Sequence, residues 1–215
     1  MLFRSYFEHP AYVPLLNRAY ENWKELERET GEQVYHQTGV AYFGQPGQEI
    51  VRGVKLSASL YNIPVEEVDA ISSRKRFNRF HVPDSFETLY EPEAGFISPE
   101  KAIKLYASQA VKHGCTIHVK EKVNTWRKEG SGIIVNTNAD SYRCSKLIIT
   151  AGAWAGNLVP GIANKLKITR QFVAWVKPRN WDDFLLNNFP CWLIDDDERP
   201  GSRSEERRVG KECRS

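Results

Sequence analysis

The chain has 215 residues, of which 41% are hydrophobic and 12% aromatic, and its formal net charge at pH 7 is +3. This composition predicts a globular protein long enough to bury a core, and it excludes an intrinsically disordered chain. No apolar run approaches the length of a membrane span, and the first stretch, MLFRSYFEHP, lacks the apolar centre of a signal peptide. The four cysteines show neither CxxC spacing nor a paired pattern, which argues against a metal site or a disulfide framework and favours a reducing compartment.

The first predicted element is an amphipathic helix over Tyr12–Thr30, with Pro14 in its first turn and Gly31 after its last. Its charged face is typical of a solvated surface. A strand is predicted over Gln33–Phe43, with an interruption at Gly39, where a bulge or the close approach of another backbone is expected. A second amphipathic helix is predicted over Gln48–Tyr61.

Two features of this half of the chain have both a functional and a structural interpretation. His36 has the chemistry of a general base, but a lone histidine in a strand is more often a structural group with hydrogen-bond partners. The stretch Arg74–Phe80, RKRFNRF, has the composition of a nucleic-acid patch or a nuclear signal. Because it is short and isolated, we favour an exposed helix that packs its phenylalanine.

A third helix is predicted from the N-cap Ser98 to Gly114, which follows its last turn. Short extended pieces are expected around it, first over Leu89–Ser98 and then, after the helix, over Cys115–Val119, Glu121–Trp126, Ile133–Asn136 and Ser141–Arg143.

The stretch Lys146–Asn157, KLIITAGAWAGN, is the centre of the sequence pattern. Its aliphatic and β-branched part, Leu147–Thr150, predicts a strand buried on both faces. Ala151, Gly152 and Ala153 then remove nearly all side-chain bulk, which allows a flat ligand to approach the end of that strand. A crevice at the carboxyl end of such a strand is where open α/β sheets bind nucleotides.

Beyond this stretch, strands are predicted over Lys167–Val176 and Phe189–Asp195. The last segment, Arg203–Ser215, has five basic and three acidic residues, so it holds +2 of the net charge and leaves the rest of the chain nearly neutral. The segment lacks periodicity and resembles the translation of a common DNA sequencing adapter. We interpret residues from about Arg203 onward as an assembly artefact, with a basic tail that binds acidic partners as the alternative.

The order of helix, strand and hairpin that leads into TAGAW resembles the second half of the FAD domain in the D-amino acid oxidase superfamily. The likeness is greatest to the monomeric sarcosine oxidase, N-methyltryptophan oxidase and pipecolate oxidase group, and the stretch TGVAYFG is a second match. The resemblance implies a mixed α/β (α+β) chain with a partial FAD-binding Rossmann-like domain and part of a mainly antiparallel substrate-domain sheet. The implied parts are residues 1–32 (helical part of the FAD domain), 33–97 (substrate-domain insertion), 98–165 (second half of the FAD domain), 166–202 (second substrate-domain segment) and 203–215 (artefactual tail).

The resemblance also implies that FAD is the cofactor, and it places five residues beside it. The backbone of Val123 would meet the adenine side, and the turn after the predicted strand would pass along the bound cofactor through Thr150, Ala151, Gly152 and Trp154. Two arginines, Arg4 and Arg170, match positions near the active site in the group. No catalytic residue and no metal ligand is assigned.

Enzymes of this group begin with a strand, a GxGxxG turn and a helix, because the pyrophosphate needs thin backbone and a helix N-terminus. The sequence contains no GxGxxG, and the segment that would supply a flavin-linked cysteine and an oxygen-activating lysine is also absent. We therefore expect a middle fragment of an oxidase, inactive by itself.

The expected activity of the whole enzyme is oxidation of secondary amines, such as sarcosine and N-methyl or cyclic amino acids, to an imine and hydrogen peroxide. The expected partners are a small amine and O2, with no nucleic acid and no membrane, in a cytoplasmic monomer, or a peroxisomal one in a eukaryote. Two alternatives remain open at this point, another FAD-dependent dehydrogenase of the superfamily and a stand-alone binding module without cofactor.

Overall fold

The computed structural model describes residues 9–170, 175, 177–186 and 188–195. These residues form two compact units, one made of the residues up to Ala110 and those from Trp175 onward, the other made of Val111 to Arg170. Within the described ranges, no helix combines the length and the apolar character that crossing a bilayer requires.

The helices and strands follow one another in an order typical of a mixed α/β chain. The first unit contains α1 (Val13–Thr30), β1 (Tyr35–Gln37), β2 (Val40–Gly44), α2 (Glu49–Tyr61), β3 (Glu66–Val68), α3 (Ala70–Arg76), β4 (Glu87–Glu91), β5 (Gly95–Ile97) and most of α4 (Pro99–Lys112). The second unit contains β6 (Val123–Glu129), β7 (Gly132–Thr137), β8 (Ser141–Cys144), α5 (Ala155–Leu158) and α6 (Pro160–Ala163), after which β9 (Cys191–Asp195) belongs again to the first unit.

The strand β2 lies inside a four-stranded sheet with the order β3-β4-β2-β9. It pairs antiparallel with β4 and parallel with β9, so that Tyr42 lies opposite both Leu89 and Leu193. Val40, Ala41, Tyr42 and Phe43 are all fully buried. Because successive side chains of a strand point to opposite faces, β2 supplies residues to a separate core on each side of the sheet.

The two faces of this sheet are covered by different groups. On one face, Val40 and Tyr42 pack against α2 through the aliphatic residues Ile50, Val51 and Val54. On the other face, Ala41 and Phe43 pack against an aromatic cluster that includes Phe77, Phe80 and Trp192. Burying each large side chain contributes about 1.5–3 kcal/mol, so these two layers account for much of the unit's stability.

The break predicted at Gly39 is confirmed, and its cause is steric. Gly39 has a φ of +72°, and a Cβ added to it would lie 2.0 Å from the hydroxyl oxygen of Tyr90. Its N–H donates to the carbonyl of Ala94 (2.8 Å), and its carbonyl accepts from the N–H of Cys191 (3.1 Å). The chain thereby passes from the small β1–β5 sheet into β2 at a position that only glycine fits.

The three predicted long helices are also confirmed, each to within a residue or two at either end. The helix α1 ends at Gly31 in the left-handed conformation, and Leu26 packs with Val34 and Ala102 in a small core between α1 and α4. The side chain of Glu27 joins this helix to the strand that follows. Its Oε1 accepts the backbone N–H groups of Val34 (2.7 Å) and Tyr35 (2.8 Å).

In the second unit, β6, β7 and β8 form an antiparallel three-stranded sheet. Its strands confirm the extended pieces predicted over Glu121–Trp126, Ile133–Asn136 and Ser141–Arg143. The pairing of β6 with β7 contains a register shift between Val123 and Thr125, next to the pair formed by Val123 and Thr137.

Two strand predictions in this unit are wrong. Leu147–Thr150 forms no strand, and its Ile148 is 86% exposed, so the expected burial on both faces is absent. Cys115–Val119 is likewise unpaired and exposed. A strand buried on both faces needs a hydrogen-bonded neighbour and a covering layer. The described residues of this unit offer these stretches neither. Of the strand predicted over Lys167–Val176, residues 167–170 form no strand, and the rest lies mostly outside the described residues.

We expect the substitution Glu27→Ala to lower the free energy of unfolding by about 1–3 kcal/mol, because it leaves two partly buried N–H groups without their acceptor. Urea denaturation of the purified chain measures this change. Glu29→Ala, at an exposed position of the same helix, is the control and should have little effect. Equal effects of the two substitutions would contradict the role given to Glu27.

Candidate cofactor site

The small-residue turn after Thr150 keeps a defined shape although the strand before it does not form. Gly152–Trp154 makes one 3-10 turn that leads directly into α5. Gly152 has a φ of +53°, a left-handed conformation that disfavours any residue with a Cβ, and a Cβ built there meets nothing within 4 Å. The glycine is therefore required by the backbone of the turn, and the space beside it is open.

The side chains around this turn form an open apolar face and not the crevice expected from the sequence. Trp154 is 72% exposed, Thr150 is exposed, and Ala151 is half-buried. An exposed indole next to residues without bulk gives a planar group room to stack on one side.

The structure places Val123 in the same compact unit as this turn. Val123 begins β6 and is partly exposed. Further along that strand, Trp126 donates its Nε1–H to the carbonyl of Leu158 at 2.7 Å, which joins β6 to α5. The helix that follows Trp154 is thus tied to the strand that begins at Val123.

That these five residues line one wall of an FAD site stays a prediction. The open space at Gly152 and the exposed ring of Trp154 suit a flat ring system, and Val123 offers a strand terminus. In the described part of the chain, no group of three or more His, Cys, Asp or Glu side chains is placed to hold a metal ion. Arg170 lies exposed in the segment after α6, and Arg4 lies outside the described residues.

His36 is held by structural contacts. Its Nε2 lies 3.2 Å from the hydroxyl oxygen of Ser98, and its ring stacks on Phe96 with a centroid distance of 4.9 Å. Both contacts connect β1 with the β5 region that precedes α4. The structural interpretation of this histidine accounts for its position without a catalytic role.

The basic stretch Arg74–Phe80 is engaged in contacts within its own unit. Arg74 pairs with Asp84 at 2.8 Å, Arg76 pairs with Glu66, and Arg79 pairs with Asp183. The guanidinium of Arg76 also lies over the ring of Tyr90, 3.9 Å from its centroid. Phe77 is buried, as expected for a helix that packs its phenylalanine. Three of the four cations of the stretch are thus paired with carboxylates of their own unit, which leaves less positive charge for phosphate binding.

A cluster of polar side chains next to Val123 is not foreseeable from the sequence. Glu121 accepts hydrogen bonds from the hydroxyl groups of Thr137 (2.5 Å) and Tyr142 (2.8 Å), and it lies 3.1 Å from Nδ1 of His118. These contacts lower the pKa of Glu121, first through Thr137 and then through Tyr142, and the bond to Glu121 raises the pKa of Tyr142. The four residues have no motif spacing, and only the register of the β6–β7–β8 sheet brings them together.

A buried carboxylate in the first unit was also missed. Glu91 is fully buried at the end of β4, and Tyr42 donates its hydroxyl hydrogen to Oε2 of Glu91 at 2.9 Å. The sequence offered no hint, because a glutamate in a strand is usually exposed.

Comparison with known proteins supports the likeness to flavoenzymes. The family of FAD dependent oxidoreductases (DAO) matches residues 2–203. The chain is 35% identical to monomeric sarcosine oxidase of Streptomyces avermitilis over 196 residues, which cover 91% of this chain and 51% of that protein. It is 31% identical to N-methyl-L-tryptophan oxidase of Yersinia pestis over 191 residues, which cover 89% of this chain and 51% of that protein.

Among solved structures, a variant of NikD, described as an unusual amino acid oxidase essential for nikkomycin biosynthesis, superposes with a TM-score of 0.68. That match has 19% sequence identity and covers 75% of this chain and 42% of the other, so it supports the fold. The chain thus spans about half the length of the curated relatives it matches. It belongs to the DAO family of FAD dependent oxidoreductases, and both the family resemblance and the mixed α/β fold class predicted from the sequence are confirmed.

We expect Gly152→Ala to destabilise the second unit by about 1–2 kcal/mol, because alanine pays the cost of the left-handed backbone although space for its methyl group is available. Gly161→Ala is a matched control, since a Cβ there also meets nothing within 4 Å and the backbone is not left-handed. Thermal denaturation of both variants gives the comparison. If the control loses as much stability as Gly152→Ala, backbone strain at the turn is not the cause.

Proposed function

We propose that this chain is part of a flavin-dependent oxidase of secondary amines, with sarcosine, N-methyl amino acids or cyclic amino acids as the substrate class. The observation that carries the proposal is the similarity to two relatives named as oxidases of N-methylated substrates, over about nine-tenths of this chain in each case. A stand-alone binding module without cofactor does not account for that similarity.

We also propose the arrangement of the chain within such an enzyme. Residues 1–32 and 98–165 contribute to the FAD domain, residues 33–97 and 166–202 contribute to the substrate domain, and residues 203–215 belong to neither. The four-stranded sheet around β2 supports the second assignment, since it is built mainly from residues 33–97 with β9 added from the later segment.

The residues that would hold FAD are those of the open turn and of the start of β6. Gly152 leaves room for close approach, Trp154 offers an aromatic surface, and the backbone at Val123 would meet the adenine side. A bound FAD would supply the oxidising power, accepting one hydride equivalent (two electrons and a proton) from the carbon next to the amine, with O2 as the final acceptor of the two electrons to give hydrogen peroxide. The chain's own contribution is to bind and orient, and Arg170 is proposed to neighbour the amine substrate.

This proposal predicts that flavin binding needs more than the 215 residues. The turn and Val123 supply one wall, and an affinity shared among phosphate, adenine and flavin contacts falls about tenfold for each ~1.4 kcal/mol that is lost. The test expresses both the 215-residue chain and the open reading frame found in the genomic DNA on its two sides. We expect the longer product to copurify with flavin absorbance and to form peroxide with sarcosine, N-methyltryptophan or pipecolate, and the 215-residue chain to do neither.

The same assay separates the alternatives. A dehydrogenase of the superfamily would reduce an artificial electron acceptor with the same amines but form no peroxide. A colourless and inactive longer product would show that the family likeness does not extend to function in this protein. Stoichiometric flavin on the 215-residue chain would show that the cofactor contacts lie elsewhere.

A second prediction concerns the exposed indole of the turn. Trp154→Ala in the longer product should weaken FAD binding about tenfold, because it removes one stacking surface. Trp181→Ala is the matched control, since Trp181 is 60% exposed where Trp154 is 72% exposed and lies in the first unit. The dissociation constant, measured by quenching of flavin fluorescence, should change for the first substitution only, and equal values for both would contradict the stacking role.

A further inference from the structure

We infer that Glu121 is a positioning residue which, with His118, Thr137 and Tyr142, fixes the backbone of Val123 in the register that the adenine side of FAD requires. The inference rests on the proposed function. It concerns side chains that have no predicted contact with the cofactor, and it assigns a purpose to the polar cluster at the start of β6.

The carboxylate of Glu121 is engaged on both oxygens. Its Oε1 accepts from the hydroxyl groups of Thr137 and Tyr142, and its Oε2 lies 3.1 Å from Nδ1 of His118. The side chain of Glu121 is only 11% exposed, although its neighbours along the chain are exposed. Three donors therefore hold this carboxylate: Thr137 from β7, Tyr142 from β8 and His118 from the segment before β6. Such a network restricts the motion of the backbone at Glu121.

The positions of the donors also assign the protons. Tyr142 uses its hydroxyl hydrogen on Glu121, so the 3.2 Å contact between its oxygen and Nδ1 of His118 requires a hydrogen on that nitrogen. Thr137 accepts the N–H groups of Ala139 (3.1 Å) and Asp140 (2.9 Å), and its single hydrogen has two acceptors within reach, Oε1 of Glu121 at 2.5 Å and the carbonyl of Asp140 at 3.0 Å, of which Glu121 is the nearer. Both oxygens of Glu121 therefore act as acceptors, and the hydroxyl groups of Thr137 and Tyr142 each act as donor and acceptor.

Lys122 lies between Glu121 and Val123, and both its N–H and its carbonyl are hydrogen-bonded to Asn138. Lys122 donates its N–H to Oδ1 of Asn138 at 2.7 Å, and its carbonyl accepts the N–H of Asn138 at 2.9 Å. Val123 then pairs with Thr137, and the register shift toward Thr125 follows immediately. A slip of one residue in this pairing would turn Val123 to the other face of the sheet. The cluster prevents this by tying residues 118–122 to the turn and strand opposite.

The hydrogen bonds of the cluster need an ionised Glu121 and a protonated Tyr142, and both states are favoured around neutral pH. The charged and titratable groups at this point are Glu121, His118, Tyr142 and Asp140, with Lys120 and Lys122 on either side of Glu121 along the chain. Because the pKa of Glu121 is lowered on folding, its contribution is complete above the ordinary carboxyl pKa and is lost as the pH falls through the lowered value. Because the pKa of Tyr142 is raised, its contribution is complete below the ordinary phenol pKa and is lost as the pH rises through the raised value.

The test compares Glu121→Ala, Glu121→Gln and Tyr142→Phe with a control, Glu129→Gln. Glu129 pairs with Arg127 and Arg143 at the far end of β6, so the control removes one carboxylate charge from that strand without touching the cluster that precedes it. Hydrogen exchange is followed at residues 121–123 and 136–138 in the 215-residue chain. The FAD dissociation constant, its pH profile and kcat are measured on the longer reading frame.

We expect Glu121→Ala to speed exchange at Val123 and to raise the FAD dissociation constant about tenfold with kcat unchanged, because the residue acts through the position of the backbone. Glu121→Gln keeps one acceptor and its size, so it should recover part of the affinity but lose the acid limb of the pH profile. Tyr142→Phe should weaken binding less than Glu121→Ala, and Glu129→Gln should match the unchanged protein.

Three results would overturn the inference in different ways. If the unchanged protein binds FAD and Glu121→Ala binds it equally well, the positioning role is wrong while the proposed function stands. If the unchanged protein binds no FAD at all, the proposed function fails and the inference fails with it. An affinity loss in Glu129→Gln as large as that in Glu121→Ala would reduce the effect to a general weakening of β6.

Discussion

Burial of β2 on both faces is the constraint on which the first unit depends. A strand with no exposed residue must have hydrogen-bonded neighbours at both edges and a covering layer on each side. Here β4 supplies one edge and β9 the other, and the parallel pairing of Val40 with Cys191 is possible only because the chain returns after the whole second unit. The sheet therefore depends on residues far apart in sequence, and α2 and the aromatic cluster cover it from opposite sides.

Two buried carboxylates connect this apolar arrangement to the surrounding backbone. Glu91, at the end of β4, accepts the hydroxyl hydrogen of Tyr42, and Asp195, at the end of β9, accepts the N–H of Ile50 in the first turn of α2 at 3.3 Å. A carboxylate at the N-terminus of a helix is favourable and satisfies a donor that lacks an intrahelical partner. The contact also fixes where α2 begins over the sheet. Gly44 leaves the necessary room, since a Cβ there would lie 3.1 Å from that of Asp195.

Sequence patterns predicted the parts of this molecule that are decided locally. The three long helices follow from apolar periodicity and from caps such as Gly31, and the break at Gly39 follows from the conformational freedom of glycine. The strand predicted over Leu147–Thr150 is wrong because a buried strand depends on partners elsewhere in the chain and not on local sequence. A run of aliphatic residues indicates that burial is favourable, but it does not identify the secondary structure or the neighbouring element that buries the run.

The polar groups that the sequence did not reveal depend, in the same way, on contacts between residues far apart in the chain. Glu121 and Tyr142 are separated by a hairpin, and neither has meaning until the register that pairs Val123 with Thr137 is known. Glu91 is buried only because β4 lies inside the sheet. Of the predicted cofactor contacts, the turn through Gly152 is the part whose geometry could be anticipated, since its left-handed backbone belongs to a single residue.

The second unit thus combines a preformed turn with an apolar stretch that is not covered. Gly152 sets the turn, the bond from Trp126 to Leu158 holds the helix behind it, and the Glu121 cluster holds Val123. None of these three devices needs Leu147–Thr150 to be a strand. Any surface that covers Ile148 buries apolar area and stabilises the state in which it is covered. If that covered state is also the one that binds FAD, cofactor affinity and the ordering of this stretch are thermodynamically linked, and each must strengthen the other by the same factor.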